Sequence, residues 1–148
     1  MDITIRALTP DDFAAWLPLW HGYNVFYDRP SVSDDITQTL WRRLFDPAQP
    51  VHALVAEHDG RLVGLTHYLY HVSTSTIEPN CYLQDLYTDE TCRGRGVGRA
   101  LIEKVYEVAK TAGAGRVYWH THESNATAQA LYNKVAEHSG FVVYRHLL

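Results

Sequence analysis

The residue types that hold phosphate are concentrated in one segment, Asp89-Glu90-Thr91-Cys92-Arg93-Gly94-Arg95-Gly96-Val97-Gly98-Arg99. Glycine at the alternate positions 94, 96 and 98 lets a backbone approach a ligand closely and turn its N–H groups toward it. Arg93, Arg95 and Arg99 add cations where a diphosphate would lie. A β-rich run precedes the segment and an apolar run of helical period begins at Val97. Unpaired N–H donors and the positive end of a helix dipole therefore meet at this turn. Two other phosphate signatures do not fit. The dinucleotide fingerprint needs glycine where Arg99 stands, and the Gly-Lys-Ser/Thr of a P-loop is absent. The rival reading is a flexible glycine turn with solvated arginines.

Further along, Asn125 and Tyr132 are seven residues apart in a predicted helix and share a face. On that face Tyr132 is either a catalytic phenol or an aromatic packed on the sheet. Asp85, Glu57, His120 and His122 are the candidate proton acceptors, with ordered water as an equal alternative. His67 and His71 extend the set of histidines, but no Cys or His pair has a zinc spacing, so no metal is expected. Trp16, Trp20, Tyr23, Phe26, Tyr27 and Trp41 form an aromatic stretch. Core packing accounts for Trp16, and aromatic faces such as those of Tyr23 and Tyr27 suit a cation. Cys92, beside Arg93, is a candidate reactive thiol.

The elements that must position these residues follow from period and punctuation. Asp2–Leu8 alternates as a strand, and Thr9-Pro10-Asp11-Asp12 starts a helix reaching about Phe26, with a kink or break near Pro18. Ser33 caps a helix to about Phe45. Val51–Glu57 and Arg61–Tyr70 form a hairpin through Asp59-Gly60, and Asn80–Thr88 is the next strand. Val97–Ala112 is a helix, Arg116–His120 a strand, Asn125–His138 a helix, and Phe141–His146 a last strand. That order gives an α/β, mixed-sheet (α+β) class in one domain, residues 1–148, with mostly antiparallel strands and one parallel crossover.

Composition sets the outer bounds. The chain has 148 residues, 46% hydrophobic and 20% charged, as a globular domain requires. A formal charge of −4 argues against nucleic acid as a partner. No apolar run approaches the ~18–20 residues of a membrane span, and Met1–Arg6 does not read as a secretory signal. Two cysteines, Cys81 and Cys92, read as free thiols in a reducing, cytoplasmic setting.

Arg93-x-x-Gly96-x-Gly98, after a strand and opening a helix, resembles the acetyl-CoA signature of the GNAT superfamily of N-acetyltransferases. Tyr82-Leu83-Gln84-Asp85-Leu86-Tyr87 and the stretch from Asn125 to Leu131-Tyr132-Asn133-Lys134 resemble its spermidine/spermine and histone/polyamine branches. Ile5-Arg6, the helix after Thr9 and the Ala56-Glu57…Val63-Gly64 hairpin fit as well, so the resemblance covers nearly the whole chain.

The resemblance implies a GNAT-like acyl-CoA N-acyltransferase fold with about four helices around the sheet. It implies acetyl-CoA as donor and a primary amine as acceptor, whether a small molecule, a polyamine or a protein amine, reacting by direct attack in a ternary complex. Backbone groups of Leu86, Tyr87 and Thr88 would meet the pantetheine arm, helped by Asn125. Arg93 and the run Gly94, Arg95, Gly96, Val97, Gly98 and Arg99 would take the pyrophosphate. Tyr132 would be the general acid, and Asp85 lies beside the thioester. Tyr23, Tyr27, Asp28, Gln84 and Asp85 would line the acceptor side. Gln84 departs from the glutamate usual in the polyamine branch, which weakens a polyamine assignment. A homodimer is expected. The rivals are a non-catalytic acyl-CoA sensor and an interaction domain that uses the sheet edge near Phe141–His146.

Overall fold

The computed structural model describes residues 1–29 and 32–148. Strand β1 (Thr4–Ala7) leads through a single 3-10 turn at Pro10–Asp12 into helix α1 (Phe13–Phe26). The guanidinium fork of Arg6 grips Asp12 at 2.8 and 3.0 Å and reaches Glu57 at 3.2 Å. Hydrogen bonding from Arg6 holds the Asp12 carboxyl well below its usual range, at about 2. Glu57, a candidate base in the sequence, is thus bound into the β1 end of the sheet. Pro18 does not break α1: the helix runs through it, forgoing only the hydrogen bond its missing N–H would have made. Helix α2 (Asp34–Leu44) opens at Ser33, whose hydroxyl accepts from the Ile36 N–H at 3.3 Å. Its acids stand in the first turn and its arginines in the last, as the helix dipole favours.

Strands β2 (Val51–His58) and β3 (Arg61–His71) form the expected hairpin, with Asp59 and Gly60 both left-handed at φ 49° and 73°. Strand β4 (Asn80–Thr88), helix α3 (Val97–Thr111), strand β5 (Arg116–Tyr118) and helix α4 (Ala126–Val135) follow. The sheet order is β1-β2-β3-β4-β5, antiparallel throughout except for the parallel β4/β5 pair. One core lies between the sheet and α3, built on Val63, Leu83, Val97, Leu101, Ile102 and Val105. The other lies on the opposite face under α1 and α2, around Trp16, Leu19, Trp20, Tyr23, Val55 and Leu65.

Two irregularities of β4 shape the middle of the molecule. Asp85 pairs with His67 and Leu83 with Tyr68, so Gln84 is an extra residue without a cross-strand partner. The bulge reverses the side-chain phase. Cys81 and Leu83 point into the α3 core, whereas Asp85 and Tyr87 turn to the α1 face. The second irregularity is an early end to the β4/β5 ladder, which stops at the Tyr82–Tyr118 pair.

The expected last strand at Phe141–His146 is not formed. Residues 137–148 have no regular structure, and Phe141 and Tyr144 are 86% and 94% exposed. A β-rich run becomes a strand only against a sheet edge, and β5, three residues long, is the edge strand here. The β5 and α4 segments are also shorter than expected, ending at Tyr118 and Val135.

Candidate active site

At the glycine turn, Gly94 and Gly96 adopt left-handed conformations with φ of 75° and 87°. Gly96 caps α3, and its carbonyl accepts the helix's first bond, from Ala100 N–H at 3.0 Å. The N–H groups of Val97, Gly98 and Arg99 precede that bond and have no partner within the helix. A Cβ at position 94 or 96 would meet nothing within 4 Å, so backbone conformation rather than crowding demands glycine there. The first turn of α3 contains no acid. This donor set fits an anionic diphosphate. The three arginines differ in their use. Arg93 donates from Nε to the Thr88 carbonyl at 3.1 Å, its guanidinium 5.2 Å from the Phe26 ring and 5.5 Å from that of Tyr87. Arg99 pairs with Glu103 at 2.8 Å, and Arg95 has no ion pair among the described residues.

Leu86, Tyr87 and Thr88 lie in register with Thr66, Leu65 and Gly64 of β3 on one edge. On the other edge β4 has no strand partner beyond Tyr82, which leaves backbone groups available to a ligand lying along it. Asn125 is the N-cap of α4 rather than an interior residue, and its Oδ1 accepts from the Ala128 N–H at 3.2 Å. Its amide Nδ2 is the part left for a ligand. Two turns on, Tyr132 is half-buried, edge-on to Trp119 at 5.3 Å. Burial, with a smaller contribution from nearby Tyr27, pushes its phenol up to about 12. It therefore stays protonated at neutral pH and is available as a donor.

The bulge at Gln84 brings Asp85, 8% exposed, among aromatic hydroxyls. Tyr23, Tyr27 and Tyr82 all lie within the field of its carboxylate, and burial followed by that charge pushes their ionisation upward. Tyr27 feels the Asp85 carboxylate and in turn bears on the Tyr132 phenol, so one tyrosine links the β4 and α4 groups. Arg29 stands over the Tyr23 ring at 5.3 Å. Of the other expected acceptor residues, Gln84 is the exposed bulge residue and Asp28 is exposed at φ 56°, ending α1. His120 contacts the Tyr82 hydroxyl at 3.2 Å, and His122 is turned to Ser124 at 2.6 Å. Cys92 is buried, receiving a long contact from Arg61 at 3.7 Å, which removes the reading of it as a reactive thiol.

The sequence reading missed the immediate partner of Asp85. His67, 1% exposed, meets the carboxylate through Nδ1 at 2.9 Å, while its Nε2 accepts from the Trp16 indole at 3.1 Å. The available signal was a histidine inside the apolar run Val63–Leu69, on the strand beside Asp85. Among the described residues no group of three His, Cys, Asp or Glu side chains is placed to hold a metal, and no helix is long and apolar enough to cross a membrane.

Comparison with known proteins bears on the family and the fold. The profile of the acetyltransferase (GNAT) family matches residues 12–136. The D-amino-acid N-acetyltransferase HPA3 of Saccharomyces cerevisiae is 37% identical over 145 residues, covering 97% of this chain and 89% of that protein. An aminoglycoside N(6')-acetyltransferase type 1 of Stenotrophomonas maltophilia is 30% identical, over 95% of this chain and 90% of its own. In fold, the chain superposes with a TM-score of 0.86 on the acetyltransferase AAC(6')-Iy bound to the bisubstrate analogue CoA-S-monomethyl-acetylneamine, at 18% identity over 100% and 99% of the two chains. The family profile, the full-length relatives and the shared fold lead to one conclusion: the chain belongs to the acetyltransferase (GNAT) family and is an N-acetyltransferase.

Proposed function

We propose that the protein acetylates a small primary amine with acetyl-CoA by direct attack, the acceptor lying between Asp85 and Tyr132. The observation that carries this reading is the set formed by the buried Asp85 carboxylate, Tyr27 beside it, and the protonated Tyr132 phenol that Tyr27 also influences. Acetyl-CoA supplies an acyl group on a thioester, whose C–S bond breaks as the amine forms its C–N bond. Asp85 holds the incoming ammonium and accepts its proton. Backbone N–H groups at the free edge of Leu86–Thr88 orient and polarise the acyl carbonyl. Tyr132 returns a proton to the departing sulfur. Arg95, Arg99 and the N–H groups opening α3 hold the pyrophosphate, while Arg93 keeps the turn against Thr88. The Nδ2 of Asn125 meets the pantetheine amides.

One observation narrows the amine. Asp85 and Arg29 both act on Tyr23, the carboxylate on its hydroxyl and the guanidinium over its ring at 5.3 Å. An acceptor carrying both an ammonium and a carboxylate, such as an amino acid, matches that pair. The likeness to a D-amino-acid N-acetyltransferase points the same way. CoA release measured with D-alanine, thialysine, neamine and spermidine tests the assignment. The amino acids are expected to turn over fastest. Binding of acetyl-CoA without release on any amine would favour a non-catalytic sensor instead.

The tail supports a homodimer. Phe141, Val142, Val143 and Tyr144 are all exposed in a segment of strand-like composition, and a second copy of the chain offers the same segment and sheet edge. Light scattering should give twice the chain mass, and Val143→Asp with Tyr144→Asp should give the single mass. A monomeric parent chain would sink the idea.

A further inference from the structure

His67 is the buried imidazole among the described residues, packed edge-on against the stacked rings of Trp16 at 5.9 Å and Trp20 at 5.4 Å. An indole N–H only donates, so the 3.1 Å contact with Trp16 makes His67 Nε2 the unprotonated acceptor. The one ring proton then sits on Nδ1 and is donated to Asp85 Oδ2 at 2.9 Å. A proton on Nε2 would face the indole N–H donor to donor in a dry aromatic box. His67 is therefore held neutral and is not itself the base. A buried carboxylate needs such a donor to stay ionised, and the donor also fixes which oxygen remains for a ligand.

We propose that His67, in the tautomer set by Trp16, is a positioning residue that holds the Asp85 carboxylate oriented to receive the acceptor ammonium. The proposal rests on the reading that Asp85 meets the amine. The groups facing this pair are the hydroxyls of Tyr23 and Tyr27 and the guanidinium of Arg29 from the α1 end, Tyr82 from β4 with His120 behind it, and Tyr132 next to Tyr27. Thr66 braces the same residue, its hydroxyl donating to the Asp85 carbonyl at 2.8 Å. Trp20, which completes the box, is itself anchored through its indole to Thr37 of α2 at 3.1 Å.

The test uses the full chain with the best acceptor among D-alanine, thialysine, neamine and spermidine. His67→Leu should lower kcat/KM for the amine at least about tenfold, with KM for acetyl-CoA within about twofold. His67→Asn, which keeps a donor near the Nδ1 position, should recover much of that loss. Trp16→Phe removes the donor that fixes the tautomer, so its kcat/KM for the amine should fall while KM for acetyl-CoA stays within about twofold. Nitrogen NMR of the parent protein should show protonated Nδ1 and bare Nε2 on His67 at neutral pH. The opposite tautomer, or an imidazolium, overturns the proposal even if the variants fail to fold. A folded His67→Leu protein with parental amine kcat/KM overturns it too. Asp85→Asn separates the two ideas. Full activity in that variant removes Asp85 from the amine site, whereas its loss beside an unaffected His67→Leu removes only the role of His67.

Discussion

Tyr132→Phe should lower turnover by roughly 10²-fold or more, the range of a lost general acid, while acetyl-CoA affinity stays within about twofold. The asymmetry follows from where the hydroxyl sits. The ring packs edge-on against Trp119, and phenylalanine keeps that contact. The hydroxyl makes no hydrogen bond to protein among the described residues, so removing it costs the fold little. It is therefore free to serve the leaving sulfur, a need that arises only as the C–S bond breaks. Because burial holds the phenol up to about 12, its deprotonation lies above the working range. The parent rate should accordingly rise with pH as the amine loses its proton, and the variant should keep that slope at a lower level. Steady-state kinetics with acetyl-CoA and the amine varied separately will decide. An unchanged kcat removes Tyr132 from the acid role.

Gly96→Val should abolish acetyl-CoA binding while leaving a folded domain. At φ 87° a β-branched residue is strained, and relief requires the turn to rotate its N–H groups away from the ligand. Nothing of the protein lies within 4 Å of the added Cβ, so the core is not disturbed. Gly113→Val is the control for backbone strain, because Gly113 has the same left-handed φ, 86°, and equally open surroundings but lies beyond the far end of α3. Thermal unfolding with and without acetyl-CoA measures the effect, since a ligand bound to the native state raises the midpoint. If the cofactor still stabilises Gly96→Val, the diphosphate site lies elsewhere.

Much of the architecture is legible in local sequence because the deciding physics is local. Asp59-Gly60 closes a hairpin through its own left-handed residues, Ser33 caps α2 with its own hydroxyl, and Gly96 opens α3 through a conformation other residues resist. Apolar period then assigns α3 its buried face, Val97, Leu101 and Val105. The places where sequence reasoning falls short are those where a partner distant in the chain decides. Asn125 reads as the first residue of a helix but becomes its cap, and Phe141–His146 has strand composition without a strand. Glu57 reads as a free carboxylate until Arg6 takes it.

By itself the sequence determined the elements, the family resemblance and the glycine turn, since propensity, capping and turn chemistry act over a few residues. Only the tertiary structure decided the surroundings of Asp85. The extra residue at Gln84 turns it to the α1 face, and Trp16 reaches His67 across 51 positions of chain to hold that carboxylate. Register and burial are properties of packed strands and helices, so no short stretch of sequence contains them.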